Sequence, residues 1–200
     1  MNYLAHAYLS FGNPKILLGN MISDFVKGKQ QFTYPPVVHK GIVLHRAIDD
    51  FTDTHAATKE AKQVFKSEYG LYSGAFMDVA YDHFLATNKD DFANDETLLN
   101  FSQHTYRLLD QQESLMPDNY RRMFYYMKQQ NWLYGYRTNE GIYQSFGGLV
   151  KRAAYLQDST AANKIFEKHY DFLAVCFAAF WLELKPFAHN KLNELLSQLS

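Results

Sequence analysis

Apolar residues recur along this chain at intervals of three and four. Val38, Ile42, His45, Ile48 and Asp49 keep that spacing, and so do Phe76, Val79, Ala80, His83 and Phe84, the mark of helices with one face turned to a core. No stretch shows sustained strict alternation with hairpin turn dipeptides between, so strands are not needed. Glycine is absent between Gly74 and Gly135, where Pro117 is the only proline, consistent with long helices broken near Met116 to Asp118. The five prolines (Pro14, Pro35, Pro36, Pro117, Pro186) fall at expected helix starts or boundaries. The pattern predicts an all-α, single-domain helical bundle over residues 1–200. Its helices are expected near 2–11, 14–27, 36–53, 56–68, 71–87, 95–115, 118–134, 139–155, 159–184 and 187–198. The apolar run from Phe172 to Leu184 contains Glu183 and falls short of the roughly 20 residues of a bilayer span. It reads as a buried helix, with no membrane span expected.

Composition narrows the function classes. Hydrophobic residues make up 47% of the 200 positions and charged residues 20%, which excludes disorder and fibrous repeats. Twenty Lys and Arg against 21 Asp and Glu give a net charge of -1, so no global field favours nucleic acid or an anionic membrane, and neither is expected as a partner. Cys176 is the only cysteine, which rules out an internal disulfide or a Cys-rich zinc site and favours a cytoplasmic setting. No Lys or Arg precedes Lys15, so the basic start of a secretory signal is missing.

Candidate chemistry lies in the acids and histidines. His45, Asp49 and Asp53 stand at i, i+4, i+8, one row along a helix beside Ile42 and Ile48. Asp78 and Asp82 repeat the spacing, with His83 directly after, and Asn20 and Asp24 repeat it again on an apolar segment that Gly28 would cap. An unpaired carboxylate at the edge of a core is costly. A shared divalent cation resolves that cost; salt bridges or hydrogen-bonded core pairs resolve it too, and the two explanations predict different geometries.

Four segments together carry a resemblance: Met1-Asn2-Tyr3-Leu4-Ala5-His6; Gly19-Asn20 through Asp24-Phe25-Val26-Lys27-Gly28; His45-Arg46-Ala47-Ile48-Asp49-Asp50-Phe51-Thr52-Asp53; and Asp78-Val79-Ala80-Tyr81-Asp82-His83-Phe84-Leu85. Weaker agreement runs through Trp132-Leu133, Tyr136-Arg137 and Gly148 to Arg152. The chain resembles the acyl carrier protein phosphodiesterase (holo-ACP hydrolase) family, an all-helical, divergent relative of the HD phosphohydrolases. It departs from the family pattern at Lys27, Leu149 and Ala153, where Arg, Met and a second basic residue are usual.

The resemblance implies hydrolysis of the phosphodiester that joins 4'-phosphopantetheine to a serine of holo-acyl carrier protein. The cofactor it implies is a divalent metal, Mn2+ foremost with Mg2+ as the alternative. On this footing Asp24, His45, Asp82 and His83 are expected as metal ligands, and Asp49 and Asp78 as further ligands or acceptors that orient imidazole rings. Arg46 and Arg152 are expected to clamp phosphoryl oxygens, His6 to protonate the departing serine oxygen, and Asn20 to contact substrate. Arg121, Arg122 and Lys128 form the best local basic cluster and a docking face for the acidic helix of a carrier protein. Two rival readings share the sequence: an HD-type phosphohydrolase of a nucleotide or small phosphodiester, and a non-catalytic helical adaptor in which the acids are core salt bridges.

Overall fold

The computed structural model describes residues 1–199 except 154 and 157. Among these the chain is helical and contains no strand. Eleven α-helices follow in order: α1 Tyr3–Tyr8, α2 Pro14–Ile22, α3 Pro36–Thr54, α4 Ala56–Tyr69, α5 Ser73–Thr87, α6 Asp95–Asp110, α7 Asp118–Gln129, α8 Trp132–Gly135, α9 Asn139–Arg152, α10 Thr160–Lys168 and α11 Tyr170–Ser197. Short stretches of 3-10 helix extend or link several of them, at Ser23–Phe25, Gly28–Thr33, Gly70–Tyr72 and Glu113–Leu115.

The departures from the expected boundaries have local causes. The first helix stops at Tyr8 because Phe11 (φ 48°) and Gly12 (φ 74°) turn the backbone left-handed. The helix expected over 118–134 breaks at Asn131, which takes a left-handed conformation (φ 47°) before α8. The largest difference is at the C-terminus, where Pro186 lies inside α11 rather than between two helices. Pro186 and Leu182, the residue whose carbonyl it leaves unbonded, both face solvent, where water satisfies the freed oxygen. On the opposite face Trp181, Leu184, Ala188, Leu192 and Leu195 carry the core past the proline. Packing therefore overrides the breaker.

The run from Phe172 to Leu184 is not wholly buried. Leu173, Cys176, Phe177 and Phe180 are in the core, whereas Val175 and Leu182 are 69% and 78% exposed. The whole of α11, 28 residues, is long and apolar enough by length and composition to cross a membrane; here its inner face packs on α3, α4 and α5.

One helix pair sets the position of the chemistry. A Cβ on Gly19 would lie 2.0 Å from the Val38 carbonyl oxygen, and one on Gly41 would lie 2.4 Å from that of Ile16. Only glycine permits so close an approach. It presses α2 against α3, so that Asn20 lies directly beside His45.

Candidate active site

Four elements meet around two stacked imidazoles. His6 comes from α1 and His45 from α3, with ring centroids 3.9 Å apart and planes 17° from parallel. Asn20 fixes both. Its amide nitrogen donates to the His6 carbonyl (2.8 Å) and to Ser10 Oγ (3.1 Å), so its Oδ1 is the acceptor that faces His6 Nδ1 at 2.8 Å. His45 Nδ1 donates to the Asn20 carbonyl at 2.7 Å. Both Nδ1 atoms must then carry hydrogen, and both Nε2 atoms point the same way. Asn20, expected from sequence to contact substrate, is fully buried, and its side chain is taken up by His6 and Ser10.

The Nε2 atoms converge on one carboxylate. His6 Nε2 lies 3.2 Å from Asp49 Oδ1, and His45 Nε2 lies 3.0 Å from Asp49 Oδ2 and 3.3 Å from Asp24 Oδ1. One ligand atom from each of His6, His45 and Asp49 falls within 4.8 Å of the others. His6 Nε2 is buried and has no hydrogen-bond partner among the described residues. Burial, aided by the neighbouring His45, lowers its pKa to about 4, so at neutral pH a bare lone pair faces a carboxylate oxygen. Burial alone would lower His45 as well, but hydrogen bonds to Asp24 and Asp49 outweigh it and raise the ring to about 9. Against its burial, Asp49 is held well below the carboxylate range, with the His45 hydrogen bond and the nearby Met1 ammonium favouring its charged form. The His45 contact also lowers Asp24.

Asp78 stands apart from the imidazoles. Its Oδ1 lies 3.0 Å from the Met1 ammonium, which also reaches Asp49 at 3.5 Å. Burial raises the Asp78 carboxyl, and the ammonium only partly offsets this. Asp24, Asp78 and Arg152 share a cleft of about 450 Å3 with Met1, Asn2 and Tyr3. Arg152 makes no hydrogen bond or ion pair among the described residues, which leaves its guanidinium open to an anion.

Several expected members are engaged elsewhere. Asp82 is fully buried and accepts the Leu4 and Ala5 backbone N–H groups at 2.8 and 3.1 Å, capping the first turn of α1. His83 is tied at both nitrogens, to the Tyr136 carbonyl (2.8 Å) and the Tyr170 hydroxyl (2.9 Å). Neither Asp82 nor His83 is thus brought beside Asp24 and His45; the groups beside His45 are His6 and Asp49, the latter already expected as a further ligand. Arg46, exposed, donates to Gln31 Oε1 (2.7 Å) and the Val26 carbonyl (3.4 Å), so it ties α3 to the segment that leads into it. Asp53 pairs with Lys62. In the basic cluster, Arg121 is paired with Asp118 (3.1 Å) and Lys128 with Asp110 (2.6 Å), while Arg122 bonds the neutral Asn119.

Comparison with known proteins decides the family. A family model described as acyl carrier protein phosphodiesterase matches residues 1–184. The chain belongs to the acyl carrier protein phosphodiesterase family. Among curated relatives, the acyl carrier protein phosphodiesterase of Yersinia pestis is 32% identical over 191 residues, covering 96% of this chain and 99% of that protein. That of Escherichia coli O6:H1 is 30% identical, with 96% and 99% covered, and that of Photorhabdus laumondii 29%, with 96% of each covered. No solved structure matches the chain. The family and its relatives' names make the protein a hydrolase, a phosphodiesterase acting on acyl carrier protein.

Proposed function

We propose that the protein cleaves the phosphodiester between 4'-phosphopantetheine and the carrier serine of holo-acyl carrier protein, leaving apo-carrier protein, with a divalent cation at His6, His45, Asp49 and Asp24. Mn2+ is the expected ion and Mg2+ the alternative. The observation that carries this is the pair of orientation-locked Nε2 atoms aimed at one carboxylate, one of them buried without a donor. A salt bridge accounts for His45 but not for His6, so the donor set fits a cation better than an adaptor's core pair. When bound there, a divalent cation supplies Lewis-acid stabilisation of phosphoryl charge and acidifies water.

The chain's own residues would do the rest. Asn20 holds both rings in one tautomer. Arg152 offers a planar fork to the phosphoryl oxygens across the cleft. With His6 used as a ligand, Asp78, which lines the same cleft, is the carboxyl placed to serve the serine oxygen as acid. Kinship with the HD phosphohydrolases belongs to this proposal as well, the metal site being drawn from His and Asp on neighbouring helices. The setting is proposed to be cytoplasmic, where carrier protein would be met, and Arg122, the cation of its cluster not paired to an acid among the described residues, is the docking contact expected for an acidic helix.

The test is incubation of metal-stripped protein with holo-carrier protein, with Mn2+ or with chelator, followed by intact-mass analysis. The reading expects loss of one phosphopantetheine with Mn2+ only. Unchanged mass with Mn2+, or equal loss in chelator, overturns it.

A further inference from the structure

A second cavity opens from the catalytic cleft. It measures about 720 Å3, runs between α7, α8 and α9, and shares Asn2, Tyr3, Met123 and Arg152 with the cleft. Its size is that of a small-molecule site, roughly 300–1,000 Å3. Its walls are Tyr3, Met123, Tyr126, Trp132 and Tyr136, and between them lie the neutral groups of Gln130, Gln144 and Ser145. Lys151 and Arg152 are its charged lining residues, and no carboxylate lines it. Tyr136 is 2% exposed, and its hydroxyl accepts from Asn2 Nδ2 at 3.1 Å and finds no acceptor for its own proton among the described residues.

Glycines on α9 open the floor. Gly141 has a packing reason, since a Cβ there would lie 2.0 Å from the Gly135 carbonyl oxygen. Gly147 and Gly148 have none: the nearest atom to a Cβ is Ser159 Oγ at 3.7 Å for the first, and nothing lies within 4 Å for the second. Each glycine inside a helix costs about 1 kcal/mol relative to alanine. What the adjacent pair does is leave the α9 backbone bare along the cavity.

We infer that this groove holds the pantetheine arm of the substrate in extended form against the bare α9 backbone, with its phosphate end at Arg152. This rests on the carrier-protein reading above. The occupant follows from the lining: a chain that is anionic at one end only, otherwise uncharged, partly apolar, and carrying amide carbonyls and N–H groups for the Tyr136 hydroxyl and the glutamine amides. Continuity with the cleft places the scissile phosphate at one end of the groove and the carrier protein outside it. The arm then supplies binding that a small phosphodiester cannot.

The experiment compares wild type, Gly148→Ala and Gly148→Phe, each checked for helicity and melting. The first readout is the ratio of kcat/KM for holo-carrier protein to that for bis(p-nitrophenyl) phosphate. It should fall at least about tenfold in Gly148→Phe and less than about twofold in Gly148→Ala. The second is Trp132 fluorescence during titration with D-pantetheine, which carries no phosphate. A saturable change is expected in wild type and Gly148→Ala. If Gly148→Phe does not fold, the wild-type titration decides alone. A ratio that holds in folded Gly148→Phe, or no saturable change in wild type, overturns the groove assignment even while holo-carrier protein is hydrolysed. Failure of wild type to release phosphopantetheine is instead the failure of the carrier-protein reading.

Discussion

Asp82→Ala removes the only acceptor that the structure gives to two buried backbone N–H groups, those of Leu4 and Ala5. Each donor left bare in the interior costs about 1–3 kcal/mol. Against this, burial raises the Asp82 carboxyl to about 7 despite those two bonds, so deleting it relieves part of an unfavourable charge burial. The net loss is about 2–3 kcal/mol, or a fall of roughly 5–10 °C in Tm for a chain of this size. His6, three residues from the α1 start, keeps its own anchor through Asn20, so Mn2+ affinity should change less than about tenfold. Thermal unfolding by far-UV circular dichroism and Mn2+ calorimetry on the same variant decide the matter. An unchanged Tm with metal binding abolished would refute the capping argument and return Asp82 to the ligand set.

Three further outcomes follow from the same geometry. Gly19→Ala puts a methyl group 2.0 Å from the Val38 carbonyl, so α2 must move off α3, and both Tm and Mn2+ affinity should fall together; retention of either contradicts the close-packing account. Asn20→Ala frees the His6 ring, while His45 keeps its bond to the backbone carbonyl, and should weaken Mn2+ binding about 10–100-fold, read by calorimetry, with an unchanged affinity arguing against orientation of His6 by the Asn20 side chain. The raised His45 pKa, about 9 in the folded protein, means that its ion pairs stabilise the metal-free protein fully below about 6.5 and are lost as pH rises through 9. Because a cation must displace that proton, Mn2+ binding should release protons and strengthen about tenfold per pH unit between 7 and 9; calorimetry in buffers of different ionisation enthalpy that finds no proton release contradicts it.

Much of the fold was legible because its signals are local. Pro36 opens α3, the 3.6-residue period of Val38, Ile42 and Ile48 runs through it, and the row His45–Asp49 falls where spacing put it. The C-terminus was not legible, since the breaker at Pro186 is local while the core face that overrides it is not. The site divides the same way. His45 and Asp49 are joined within one helix, and Asn20 and Asp24 sit in one segment, so period alone brackets each pair. Whether Asp82 and His83 face that pair depends on which neighbours cover α5, and those are the start of α1 and Tyr136 and Tyr170, residues far away in sequence. The proposed change of His6 from acid to ligand has the same origin: its partner Asn20 lies on a different helix, so spacing along the chain does not show the contact.

The central claim is that a divalent cation sits between His6, His45 and Asp49. Crystals grown with Mn2+ and measured at the manganese absorption edge test it directly. The account predicts one anomalous peak roughly 2–2.5 Å from His6 Nε2, His45 Nε2 and an Asp49 oxygen, absent in His45→Ala. A peak at Asp82 or His83, or no peak while Mn2+ supports turnover, would contradict it.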